Sequence, residues 1–186
     1  KTRDGGTKPL SELFEETYQY IKNINSDLED STIKQLANSV LTFSDLITNR
    51  KTDYKFDLEK FTNVNGKTGL YVQYAQVRAK KLQQSISLQK NEFDLLVLSD
   101  IDKHLLSLLF MFGHHLEQSS SLNEPHHLAN YLYDISNSFN QFYEHEKLSE
   151  IKDSNHLNSK LYLIDLFLTT SKNVMFCLGI KPVERM

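Results

Sequence analysis

Seven residues near the C-terminus recur as Leu157, Leu161, Ile164, Leu168, Ser171, Met175 and Leu178, a near-unbroken alternation of four and three. Strand side chains repeat every two residues, so no strand gathers these positions on one face. The pattern dictates a long amphipathic helix, and its stripe must be covered by other helices. Gly179 supplies a stop signal, and Pro182 prevents continuation. With 6 Gly and 3 Pro in 186 residues, few breaks are available to the chain. The expected fold class is mostly α: a helical bundle preceded by a small helical and short-strand region.

The same period places helices upstream. One runs from Ser11 to about Asn23, with Leu13, Phe14, Thr17 and Ile21 on one side. A second starts at Ser31 and carries Ile33, Leu36, Val40, Phe43 and Ile47. A turn at Asn65-Gly66-Lys67-Thr68-Gly69 leads into a helix over 70–87. A single long helix is expected over 93–117, broken by Ser119-Ser120-Ser121. Asn123-Glu124-Pro125 then reads as a capped helix start. That helix buries Leu128, Leu132, Ile135, Phe139 and Phe142, with Tyr131 and Tyr143 at opposite, partly exposed edges of the arc. Only Thr52–Asp57, where Tyr54 and Phe56 alternate with polar residues, reads as a strand.

The apolar run from Leu105 to Phe112 is far shorter than the ~20 residues of a membrane span, and no signal-peptide core follows the N-terminus. The absence of a starting Met suggests a chain cut from something longer, with the cytoplasm as its default compartment. One cysteine, Cys177, excludes an internal disulfide and any multi-cysteine zinc site. It lies among Val174, Met175, Phe176 and Leu178 and reads as an inert core thiol. His114-His115 and His126-His127 invite a metal, but helical neighbours point about 100° apart, so neither pair chelates one ion alone. Glu117 and Glu124 are not spaced as a ligand set, and no metal is expected.

Net charge is −3, yet 47–90 holds nine Lys and Arg against three acids. This segment of +6 contains Tyr54, Phe56, Phe61, Tyr71 and Tyr74. Cations attract a phosphate backbone and exposed rings stack on unpaired bases. A solvated helix face with core aromatics behind it has the same composition. Gly5-Gly6-Thr7-Lys8 lacks the first glycine and the preceding strand of a phosphate-binding P-loop. Physics alone therefore leaves a nucleic-acid binder and a protein-interaction bundle both open.

Five ordered segments resemble the C-terminal part of class I arginyl-tRNA synthetases. Lys1-Thr2-Arg3-Asp4-Gly5-Gly6-Thr7 is similar to their ATP-binding signature loop. Asn49-Arg50-Lys51-Thr52-Asp53-Tyr54-Lys55-Phe56-Asp57 resembles an "NR-x-x-DY-x-FD" stretch. Gly66-Lys67-Thr68-Gly69-Leu70-Tyr71-Val72-Gln73-Tyr74-Ala75 resembles "GNT-x-PY-x-QYA", with Leu70 in place of the usual Pro. Tyr131-Leu132-Tyr133-Asp134 with Phe142-Tyr143-Glu144-His145, and Leu178-Gly179-Ile180 with Val183-Glu184-Arg185-Met186, resemble "YLYDL…FYEH" and "LGI-x-x-VERM".

The resemblance implies two parts: residues 1–68, the end of a catalytic domain and a stem-contact region, and 69–186, a DALR-type anticodon-binding domain. It implies a partner, tRNA-Arg, gripped at the inner L and anticodon loop by Tyr74, Tyr143 and Met186, with Tyr71, Gln73 and Arg78 as weaker candidates. Lys1, Thr2, Arg3, Gly5 and Gly6 would be a signature-loop remnant. The implied whole enzyme is a monomeric cytoplasmic ligase that uses ATP with magnesium to join arginine to tRNA. The HIGH-type signature is missing, so this chain alone is expected to be inactive and to need no cofactor. The alternative is a free-standing synthetase-like bundle that binds RNA or protein without ligase activity.

Overall fold

The computed structural model describes residues 8–86 and 93–186. Its α-helices are α1 (Leu10–Ile24), α2 (Asp30–Leu46), α3 (Leu58–Phe61), α4 (Gly69–Ser85), α5 (Asp100–Phe110), α6 (Phe112–Leu122), α7 (His126–His145) and α8 (Ser154–Cys177). Single 3-10 turns at Leu95–Val97 and Leu148–Glu150 precede α5 and α8. The Lys1–Thr7 loop lies outside the described residues.

Among the described residues two apolar clusters form the core, and α4 belongs to both. The larger joins Val72, Ala75 and Ala79 of α4 to Leu105 of α5, Leu132 and Phe139 of α7, and Ile164, Phe167 and Met175 of α8. The Phe139 and Phe167 rings stack there with centroids 4.2 Å apart. The smaller joins Tyr18 and Ile21 of α1, Ile33, Leu36 and Val40 of α2, Phe61, and Leu70 and Val77 of α4. Val183 of the C-terminal tail enters that second cluster.

The tail reaches it because α8 ends in a paired stop. Gly179 takes φ +72°, a conformation that glycine adopts without a Cβ penalty. Its N–H donates to the Phe176 carbonyl (3.1 Å), and the Ile180 N–H to the Met175 carbonyl (2.8 Å). This double bond pattern satisfies the last helical carbonyls and turns the chain back over α4.

Five expectations need correction. Among the described residues no strand occurs. Thr52–Asp57 forms no strand, and its alternation serves ring packing: Tyr54 meets Phe61 edge-on at 6.0 Å and Phe56 stacks on it at 5.2 Å. The helix expected over 93–117 is broken at Met111 (ψ 0°). The Tyr131 hydroxyl donates there to the Leu108 and Leu109 carbonyls (3.1 and 3.3 Å), capturing the end of α5. That bond buries Tyr131, which is 1 % exposed rather than at an exposed edge, and burial raises its phenol pKa. Ser119-Ser120-Ser121 stays helical, and Asn123 (φ 52°) closes α6 in the left-handed region instead of capping α7.

Candidate nucleic-acid interface

The start of α4 aims the site. The Thr68 hydroxyl accepts from the Tyr71 N–H (3.2 Å) and donates to the Asn63 carbonyl (2.6 Å), capping the helix against its preceding turn. Gly69 brings α4 onto α2 so closely that a Cβ would lie 2.2 Å from the Ser39 carbonyl oxygen. With that end fixed, Tyr71, Tyr74 and Arg78, spaced by three and four, face α7.

Arg78 is the centre of the arrangement. Its guanidinium carbon lies 4.4 Å from the Tyr74 ring centroid and 4.3 Å from that of Tyr143. It donates to the Tyr74 hydroxyl (2.8 Å) and to the Asn140 side-chain oxygen (3.0 Å), with Glu144 at 3.7 Å. Tyr74 and Tyr143 remain 40 % and 38 % exposed, so each offers surface to a ligand. Beside them lies an open cavity of about 480 Å³ lined by Tyr71, Tyr74, Arg78, Asn137, Asn140 and Gln141, among others. The Tyr71 hydroxyl donates to Asn137 (3.1 Å), and Lys67 sits 4.8 Å over the neighbouring Tyr133 ring. Burial, then the neighbouring Tyr71 and Asp134, raises the Tyr133 phenol pKa. The exposed rings supply stacking faces here, and the amides supply donors and acceptors suited to heterocycle edges.

The other sequence candidates lie elsewhere. Gln73 is fully buried, and its amide is consumed in joining elements. It donates to the Ser39 hydroxyl (2.8 Å) and the Lys181 carbonyl (2.7 Å), and accepts from the Val183 N–H (3.0 Å). It therefore clamps the tail between α2 and α4 and presents no surface to a ligand. Met186 is partly exposed and packs on the smaller cluster, while Arg185 donates to the Asp27 carbonyl (3.0 Å). Asn137, Asn140 and Gln141 escaped the reading of the sequence, and Glu144 entered it only within the segment that ends at His145. Their spacing of three, one and three on α7, flanking Tyr143, was the available signal.

The basic segment is less bare than its composition implies. Lys51 pairs with Glu124 (3.0 Å), Lys80 with Glu184, and Arg78 with Glu144. Cys177 is exposed, not a core thiol, because it falls off the α8 stripe beside the exposed Phe176. Glu124 also overturns the spacing argument against a ligand set: it converges with His126 and His127, one donor atom from each lying within 4.8 Å of the others.

The class this fold and face define is an all-helical bundle with two exposed rings presented between α4 and α7. Residues 72–186 match the family described as DALR anticodon binding domain, and the chain belongs to that family. Over its full length it is 34 % identical to an arginine–tRNA ligase of Alcanivorax borkumensis and 32 % identical to one of Francisella tularensis. It spans about a third of the length of these curated relatives, 34 % of each. The fold matches Thermus thermophilus arginyl-tRNA synthetase with TM-score 0.87 at 23 % identity, covering 97 % of this chain and 33 % of that one. It matches the Plasmodium falciparum enzyme with TM-score 0.82 at 25 % identity, covering 95 % and 33 %. Among the described residues no helix is long and apolar enough to cross a membrane.

Proposed function

We propose that this chain is the tRNA-recognition part of an arginine–tRNA ligase, gripping the inner L and anticodon loop of tRNA-Arg. The single observation that carries the reading is the Tyr74–Arg78–Tyr143 stack beside an amide-lined cavity, on a fold of the anticodon-binding family. Unpaired bases splay onto the two exposed rings, and the Asn and Gln amides meet their edges. Arg78 holds the two rings and supplies a cation for the backbone. Met186 is the soft apolar contact offered by the tail.

In this reading residues 1–68 finish the catalytic part and contact the stem, and 69–186 bind the anticodon arm. The whole protein is a monomeric cytoplasmic ligase that spends ATP, with magnesium, to esterify arginine to its tRNA. That chemistry belongs to the remaining two thirds of the enzyme, and the fragment alone does not aminoacylate.

The test is fluorescence anisotropy of this chain with an arginine tRNA transcript at two salt concentrations. Changing the middle anticodon base, or Tyr143→Ala, should each weaken binding by about 5- to 150-fold, the value of one lost stack at ~1–3 kcal/mol. Salt-sensitive binding indifferent to both changes overturns the proposed site and leaves only a basic surface.

A further inference from the structure

At the corner between α6 and α7, Asn123 takes the left-handed conformation and the Glu124 N–H bonds the Ser119 carbonyl (3.0 Å). The turn folds Glu124 back over the first turn of α7. Its Oε2 lies 3.2 Å from His127 Nε2, and its Oε1 lies 3.0 Å from Lys51 Nζ. The His126 and His127 rings are 4.1 Å apart and tilted. The His126 Nδ1 atom is buried and has no hydrogen-bond partner among the described residues. The Glu124 and His127 side chains are only 13 % and 24 % exposed.

We propose that Glu124, His126 and His127 form a binding site for one divalent transition-metal ion, with zinc the best chemical match.

The donor set argues for the class of ion. One carboxylate and two imidazoles suit zinc and its late first-row neighbours, whereas magnesium and calcium take oxygen cages. Three protein donors leave a fourth tetrahedral position for water. Metal–donor bonds of about 2.0–2.1 Å in a tetrahedron place donors about 3.3 Å apart. The Glu124–His127 pair already has that separation, and the 4.8 Å limit for the trio means His126 closes by about 1.5 Å at most. Rotation about its own side-chain torsions covers that distance.

An ion-pair network of Lys51, Glu124 and His127 explains two of the three residues. It leaves His126 Nδ1 buried and unpaired, a state that costs free energy unless something binds it. A metal ligated through Nδ1 would remove that cost. Lys51 occupies the opposite oxygen, and its exposed ammonium weakens cation binding without blocking it. His115, whose charge is felt by the same cluster, stacks on Tyr131 and stands outside the trio. A bound ion would pin the α6–α7 corner to the helix that carries Asn137, Asn140 and Tyr143.

Zinc titrated calorimetrically into the tag-free chain should bind with one saturable equivalent. Cobalt(II) in its place should give the intense visible bands of a four-coordinate ion, a readout that needs no variant. Glu124→Gln and His126→Gln, checked for folding by circular dichroism, should each weaken binding at least tenfold. The double change His114→Gln/His115→Gln should leave it unchanged, and Lys51→Met should tighten it. No saturable binding, a six-coordinate cobalt spectrum, or binding that survives His126→Gln overturns the proposal.

Discussion

Arg78 of α4 is held between the rings of Tyr74, on its own helix, and Tyr143, on α7, at 4.4 and 4.3 Å. One side chain thus sets the mutual spacing of the two exposed rings. Its truncation should act on both, so Arg78→Ala and Tyr143→Ala are expected to be non-additive in tRNA affinity. A double-mutant cycle by anisotropy should give a coupling of about 0.5–3 kcal/mol. Arg78→Lys should not restore affinity, because an ammonium lacks the planar faces that meet two rings. Strict additivity would show that the stack has no part in binding.

Gln73→Leu should release the C-terminal tail. The change leaves the buried Val183 N–H without its partner, at about 1–3 kcal/mol, and the partly buried Lys181 carbonyl without its donor. For a chain of this size about 2–4 °C of thermal midpoint is lost per kcal/mol. Calorimetry should therefore show a fall of several degrees, and limited proteolysis should trim the tail after Gly179 in the variant before it does so in the parent. An unchanged digestion pattern would mean that Val183 packing alone holds the tail.

The helices were legible in the sequence because their burial follows the 3.6-residue period. Where the misreadings fall, a distant partner had decided the outcome. Leu98, Leu105 and Phe112 keep helical spacing across Met111, so only the Tyr131 hydroxyl, from another helix, reveals the break. Tyr54 and Phe56 alternate like a strand, but both lie against Phe61 in the smaller core region. Gln73 shares a motif with Tyr71 and Tyr74, yet the helix turns it toward Ser39 and the tail. Tyr74, Arg78 and Tyr143, singled out through motif resemblance, come together around one guanidinium, whereas the polar stripe of Asn137, Asn140 and Gln141 becomes a cavity wall only once α4 lies against α7.

Lys160 of α8 is fully buried between Asp102 of α5 (3.0 Å) and Glu146 after α7 (2.9 Å), 5.0 Å from the Phe142 ring. Lys160→Met strands the Asp102 carboxylate in the core and should cost about 3–5 kcal/mol by denaturant unfolding. Adding Asp102→Leu should recover part of the loss, since an apolar pair of similar volume needs no desolvation of charge. Recovery should be incomplete, because Asp102 also closes a capping box with Ser99 at the start of α5. A double variant less stable than Lys160→Met would contradict the stranded-charge account.

His115 makes stability depend on pH. Its ring lies 4.6 Å from that of Tyr131; burial lowers its pKa most, His114 and His127 lower it further, and Asp134 opposes them. A histidine with a depressed folded pKa binds its proton more readily when unfolded. Its contribution is neutral while both states are deprotonated, and stability is lost as pH falls through about 6.5 towards the folded value. The thermal midpoint should therefore decline from pH 7.5 to pH 5.5, and His115→Gln should decline less over that interval. Glu124 adds a loss only at more acidic pH, since its depressed carboxyl contributes above the usual carboxylate range and fails below it. Parallel curves for parent and variant between pH 7.5 and 5.5 would show that the stacked ring protonates as freely folded as unfolded.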